Sequence, residues 1–214
     1  MIIKYKIIYL IVLINFLQNV YSTVDFYNLN ELLPLNLDGW CNPANRIHLK
    51  RITLEKQPKI VVELGVWMGL SISIIAQNML SNSKLYAVDT FKGSNEHITD
   101  PQYSQFLPTL YQQFLSNMIH LKITDKVIPV KMTTLEAALF LDIKPEMVYV
   151  DASHEEEDVY HDIKAWYAKL SKNGIMCGDD WGWETVQRAV IRIAKELNQT
   201  VRFDDSFWWF APKN

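Results

Sequence analysis

Val148-Tyr149-Val150-Asp151-Ala152-Ser153-His154 and, later in the chain, Ile175-Met176-Cys177-Gly178-Asp179-Asp180-Trp181 decide the fold. Each is a short apolar run of strand type that ends abruptly in carboxylates. In a parallel α/β sheet such strand ends face the ligand crevice. The pair gathers Asp151, Asp179, Asp180 and His154 in one place, and three oxygen ligands at adjacent strand ends make a seat for a hard divalent cation. Between them, Glu155 to Leu170 carries Val159, Ile163, Trp166, Tyr167 and Leu170 at helical spacing. Lys172-Asn173-Gly174 closes that helix, because glycine takes the left-handed cap conformation without strain. Strand, helix and strand form one crossover unit, right-handed in nearly all cases, which leaves the two strand ends side by side.

Upstream of this unit, Lys59 to Leu64 reads as a buried strand followed by Glu63-Leu64-Gly65-Val66-Trp67-Met68-Gly69 and a helix marked by Ile72, Ile75, Ala76 and Met79. A glycine turn between buried strand and helix lets a ligand approach the backbone and presents free amides. The glycines are spaced G-x-x-x-G, so the dinucleotide fingerprint is absent and NAD is disfavoured. Strand two, Lys84 to Val88, ends in Asp89, placed to accept hydrogen bonds from the ribose hydroxyls of an adenosine ligand. Before strand one, Asn42-Pro43 starts a helix well; Ile47, Leu49, Ile52 and Leu54 are its expected apolar contacts and Gln57-Pro58 its stop. Thr23 to Trp40 lacks periodicity and is expected to pack as an N-terminal arm.

Thr90 to Tyr103 reads as polar and irregular, and Gln105 to Leu121 as helical apart from Pro108, with Phe106, Leu110, Phe114 and Met118 on one face. Strand three is Val127 to Lys131, and Thr133 with Glu136 forms a capping box for a short helix. Past the central acids, Glu184 to Leu197 has a helical apolar face. Val201 to Phe203 and Phe207 to Phe210 read as closing strands in hairpin order, the aromatic one an inner strand.

The chain has 214 residues, 49% hydrophobic and 21% charged, enough for one well-buried domain over 23–214. A net charge of −3 offers no basic footprint, so nucleic acid is excluded as a partner and small molecules are favoured. Residues 1–22 read as a signal peptide: Lys4 and Lys6, an apolar run from Ile7 to Leu17, then Val20-Tyr21-Ser22. That run is too short for a stable membrane span. The chain would then be exported; an uncleaved anchor or a misassigned start are the alternatives, the latter leaving it cytoplasmic. Cys41 and Cys177 do not make a disulfide framework. Homo-oligomerisation is compatible with all of this.

The ordered set Glu63-x-Gly65-x-x-x-Gly69, Asp89-Thr-Phe-x-Gly93, Asp151-x-x-His154 and Gly178-Asp179-Asp180 resembles class I S-adenosylmethionine-dependent methyltransferases. Among these it is most similar to the metal-dependent sugar O-methyltransferases of macrolide and aminocoumarin biosynthesis, with catechol O-methyltransferase more distant. The resemblance covers Trp40 to the C-terminus. It implies an α/β, Rossmann-like seven-stranded sheet, mostly parallel with an antiparallel last strand and helices on both faces. It also implies that Glu63, Gly65 and Gly69 line the methionine and ribose of S-adenosylmethionine, that Asp89 holds the ribose, that Asp151, Asp179 and Asp180 bind metal, and that His154 is a general base. Ala152-Ser153 departs from the family's frequent Gly-Ser.

The chemistry has its own logic. A sugar hydroxyl is very weakly acidic, and a divalent ion chelated by vicinal hydroxyls would lower its pKa and fix the attack geometry. His154 could take the proton. A carboxylate-rich set without cysteine suits Mg2+ first and Mn2+ second. The expected reaction is O-methylation of a small polyhydroxylated acceptor such as a sugar. A catechol-type acceptor, or a non-catalytic cofactor-binding module, are the alternatives. Asp179-Asp180 and His154 could also simply cap the helices that follow them.

Overall fold

A computed structural model describes Phe26 and residues 29–211; the signal or anchor expected over 1–22 lies outside the described residues. Helix α1 (Pro43–Lys56) begins at Asn42, whose side chain accepts the Asn45 N–H, with proline at the first helical position. The chain then alternates: β1 (Ile60–Leu64), α2 (Leu70–Asn78), β2 (Lys84–Asp89). After two short helices, α3 (Asn95–Thr99) and α4 (Pro101–Ser104), a 3-10 turn at Leu107–Thr109 absorbs Pro108 and α5 (Leu110–His120) follows. The remainder is β3 (Val127–Lys131), α6 (Thr134–Phe140), β4 (Met147–Val150), α7 (Glu156–Tyr167), β5 (Ile175–Gly178), α8 (Glu184–Glu196) and the hairpin β6 (Thr200–Asp204) and β7 (Phe207–Ala211).

The strands form one seven-stranded sheet in the order β3-β2-β1-β4-β5-β7-β6, with β7 antiparallel to both its neighbours and the other pairings parallel. The expected antiparallel closing strand and its inner position are both found. Strand order reverses between β1 and β4, and in open α/β sheets ligands bind at the carboxyl ends beside such a switch point. Register then fixes the site: Leu64 pairs with Val150 and Val150 with Gly178, so the residues after β1, β4 and β5 leave the sheet at one level.

Both faces of the sheet are covered, as near-continuous apolar strands require. Ile72, Phe114 and Met118 pack on one face and Trp166, Val190 and Ile193 on the other. The arm before α1 lies on α5: the Leu33 N–H donates to Ser116 Oγ (3.1 Å) and the Asn36 N–H to Asn117 Oδ1 (3.0 Å). Helix α1 buries Leu49 and Ile52 as expected and departs at the other two apolar positions. Its buried side is Asn45, His48, Leu49, Ile52 and Thr53, while Ile47 and Leu54 face solvent. Among the described residues no helix is long and apolar enough to cross a membrane.

Candidate active site

The glycine loop after β1 is shaped by close approach. Gly65 has φ of 80°, and a Cβ there would meet the Asp151 backbone oxygen at 2.0 Å. Gly69, at φ 88°, caps α2, and a Cβ on it would press on Met118 Cε at 2.6 Å. Asp89 holds the loop's outer side. Its Oδ2 accepts the backbone N–H groups of Val66 (2.8 Å) and Trp67 (3.0 Å), and its Oδ1 accepts that of Phe91 (2.7 Å). A carboxylate has about four acceptor positions, so three backbone bonds leave room for a ribose hydroxyl while making Asp89 a brace as well.

Glu63 lies behind the loop, fully buried, with Ser71 Oγ donating to its Oε1. Its Oε2 has no partner. Burial pushes this carboxyl up to about 8, against the Ser71 hydrogen bond. A buried acceptor of this kind behind a ligand loop is suited to a cationic or N–H-bearing ligand group.

The second half of the site comes from β4 and β5. Asp151 is held well above the usual carboxylate range by burial and then by the negative charge of Asp179 and Asp180. Burial also raises Asp179, and Asp180 adds to it. Asp179 is anchored on every side: Asn45 Nδ2 donates to Oδ2, the Asp180 N–H to Oδ1 (2.6 Å), and Trp208 Nε1 to its backbone oxygen (2.9 Å). Asp180 has φ of 65°, a left-handed conformation that a non-glycine residue adopts only where its surroundings enforce it. That turn brings Asp180 Oδ2 to 2.9 Å from His154 Nε2. The opposite nitrogen, Nδ1, lies 3.4 Å from Glu96 Oε1 on α3. The hydrogen bond to Asp180 raises the His154 pKa, with burial opposing. Trp183 stacks on the imidazole at 4.5 Å, the planes 14° apart.

A cleft of about 990 Å³ joins these parts, touching Gly65, Asp89, Asp151, His154, Asp179 and Asp180. Its size suits a cofactor together with a small acceptor. Glu63 and Gly69 stand behind its wall, Glu63 through Ser71 and Gly69 against Phe114. Three participants carried no sequence signal. Asn45 sits far from Asp179 in the chain, Glu96 was hidden in an irregular polar stretch, and Trp183 lay past the acids as an ordinary aromatic.

Asp151, Asp179 and Asp180 are hard oxygen donors on one cleft, and their mutual repulsion in a buried place is what a divalent cation relieves. They fit such an ion in kind. In arrangement, Asp179 is turned to Asn45 and Asp180 to His154, and among the described residues no three acidic, histidine or cysteine side chains converge as a ligand cluster.

Residues 62–181 match the family described as Methyltransferase domain. The O-methyltransferase from Bacillus cereus, solved with SAH, aligns at a TM-score of 0.62 and 13% identity over 92% of this chain and 100% of that one. TomG from Streptomyces achromogenes, an O-methyltransferase involved in tomaymycin synthesis solved with SAM, aligns at 0.61 and 13% over 92% and 99%. An SAH-bound methyltransferase from Podospora anserina aligns at 0.60 and 13% over 82% and 80%. At these identities the likeness is one of fold. No curated protein matches the chain.

Proposed function

The chain belongs to the methyltransferase domain family, and from that premise we propose that it moves the methyl group of S-adenosylmethionine to a hydroxyl of a small polyhydroxylated acceptor such as a sugar. The observation that carries this reading is the union, in one cleft, of the glycine loop braced by Asp89 with the group His154, Asp179 and Asp180. Gly65 and Asp89 line the cofactor half, with Glu63 and Gly69 behind its wall. The orphaned Glu63 oxygen behind the loop suits a ligand with a cationic amino acid end, and Gly65 lets the loop lie against the Asp151 backbone.

In this reading the acceptor hydroxyl lies against His154, which takes its proton as the oxygen attacks the methyl carbon and the carbon–sulfur bond breaks. The products are a methyl ether and S-adenosylhomocysteine. Asp180 holds the imidazole in place and stabilises it once protonated, the role a carboxylate plays beside a histidine base. Trp183 covers one ring face and limits the rotation of His154. Asp151, Asp179 and Asp180 would hold Mg2+ or Mn2+; when bound, such an ion acidifies a chelated hydroxyl. Asn45 fixes Asp179 from α1.

Transfer of labelled methyl from S-adenosylmethionine to sugar and catechol acceptors tests the reading. Wild type should turn over, and His154→Ala should be about 10²–10⁴-fold slower, the loss shrinking as pH rises and the hydroxyl ionises unaided. Equal rates in the two proteins would remove His154 as the base. For residues 1–22, export remains our proposal; a reporter fused to them should be cleaved near Ser22, and retention of Met1 in the cytosol would reject it.

A further inference from the structure

The glycine loop carries an aromatic cluster on the cleft wall, with His97 stacked on Trp67 at 4.1 Å. Trp40, His97 and Tyr103 form a ring cluster, with Trp40 at 4.2 Å from Tyr103 and 4.9 Å from His97. Trp40 is 53% exposed, so an indole face remains open. Next to His97 stands Glu96, whose carboxylate is 43% exposed and reaches His154, itself backed by the 48% exposed Trp183. Open indole, carboxylate, imidazole and indole therefore follow one another along the cleft. Eight carboxyl side chains, three of them the proposed metal ligands, line the whole, and among the described residues no lysine or arginine does.

We propose that this wall selects the charge of the acceptor: a hydroxylated ring bearing a basic amine, stacked on the open indoles, with Glu96 receiving the ammonium group. This rests on the methyltransferase reading above. Two physical terms favour the choice. Aromatic faces attract a cation through the ring quadrupole, and a cleft lined by one sign of charge focuses potential on an approaching cation. The same field opposes phosphorylated or carboxylated rings, for which no lysine or arginine among the described residues of the cleft offers a counter-charge. The Asp89 carboxylate is taken by three loop amides, whereas that of Glu96, on α3, is 43% exposed and shared with Ser94 and His154. A role confined to orienting His154 would make Glu96 indifferent to acceptor charge, and the test separates the two.

The experiment is titration of the protein, saturated with S-adenosylhomocysteine and magnesium, followed by tryptophan fluorescence. Two series of probes are used: catechols carrying aminoethyl, ethyl or carboxymethyl groups, and glucosamine, glucose and glucuronate. In the series that binds, the amine should bind at least ~10-fold tighter than its neutral partner, a difference of about 1.4 kcal/mol, and the anion weakest. Glu96→Gln should bring amine and neutral Kd values to within about threefold of each other. Equal affinity for amine and anion, an equal loss for all three probes in Glu96→Gln, or no binding of any probe by protein that holds S-adenosylhomocysteine would overturn the proposal. Failure to hold S-adenosylhomocysteine at all would instead overturn the methyltransferase reading, and the proposal with it.

Discussion

The α-carbon of Gly65 faces the backbone oxygen of Asp151 so closely that a Cβ would stand 2.0 Å from it. Neither partner has room to retreat, since the Gly65 N–H is bonded to Val88 O (2.9 Å) and the Asp151 N–H to Leu64 O (2.8 Å). The cofactor loop and the acids are therefore mechanically one unit. Gly65→Ala should weaken S-adenosylhomocysteine binding at least ~10-fold, about 1.4 kcal/mol, and lower Tm as well. Calorimetry giving unchanged affinity would contradict this coupling.

Asp89 is bonded to three loop amides, so its removal should be felt twice. Asp89→Ala should cost roughly 1–3 kcal/mol in S-adenosylmethionine affinity, because a charge-assisted acceptor and the loop's brace are lost together. Asp89→Asn, which keeps one acceptor oxygen, should lose less. Titration calorimetry on both variants gives the ordering; unchanged affinity in Asp89→Ala would remove the residue from the site.

Helix α1 shows why part of this was not legible in the sequence. Its buried positions 45, 48, 49, 52 and 53 have helical spacing, but three of the five are polar, so the apolar residues alone gave only Leu49 and Ile52 of the buried side and added Ile47 and Leu54, which face solvent. Asn45 is buried because it serves Asp179, a partner in a different part of the chain. Local pattern carries no trace of such a pairing. The strand ends were different: Asp151 and Asp179 follow buried apolar runs directly, and the sheet register places them together without help from distant residues. Segment 90–104 lies between these cases. Ser94 with His97 and Asp100 with Pro101 are readable helix starts, yet both helices are so short that they produce no periodicity.

Asp162 supplies a test by pH. Burial raises its carboxyl to about 6 from 3.8, against a hydrogen bond donated by Thr134. The folded chain thus binds this proton more tightly than the unfolded chain does. Its contribution to stability is complete below the unfolded value of 3.8 and is lost as pH rises through about 6. Asp162→Asn keeps an acceptor for Thr134 without the charge. It should match wild type near pH 4 and exceed it above pH 7 by on the order of 2–3 kcal/mol. Denaturant midpoints that differ equally at both pH values would contradict the assignment.

On the proposed function Asp151, Asp179 and Asp180 would serve a metal-assisted methyl transfer. The most direct measurement is methyl transfer from S-adenosylmethionine to a vicinal diol acceptor, followed against magnesium concentration for wild type and Asp179→Asn. Wild-type activity should rise with magnesium and disappear in excess chelator. The variant should be at least ~100-fold slower, since it removes charge from the ion's seat, while its cofactor affinity changes far less. Full activity in excess chelator would contradict the account and leave the three acids as caps and surface charge.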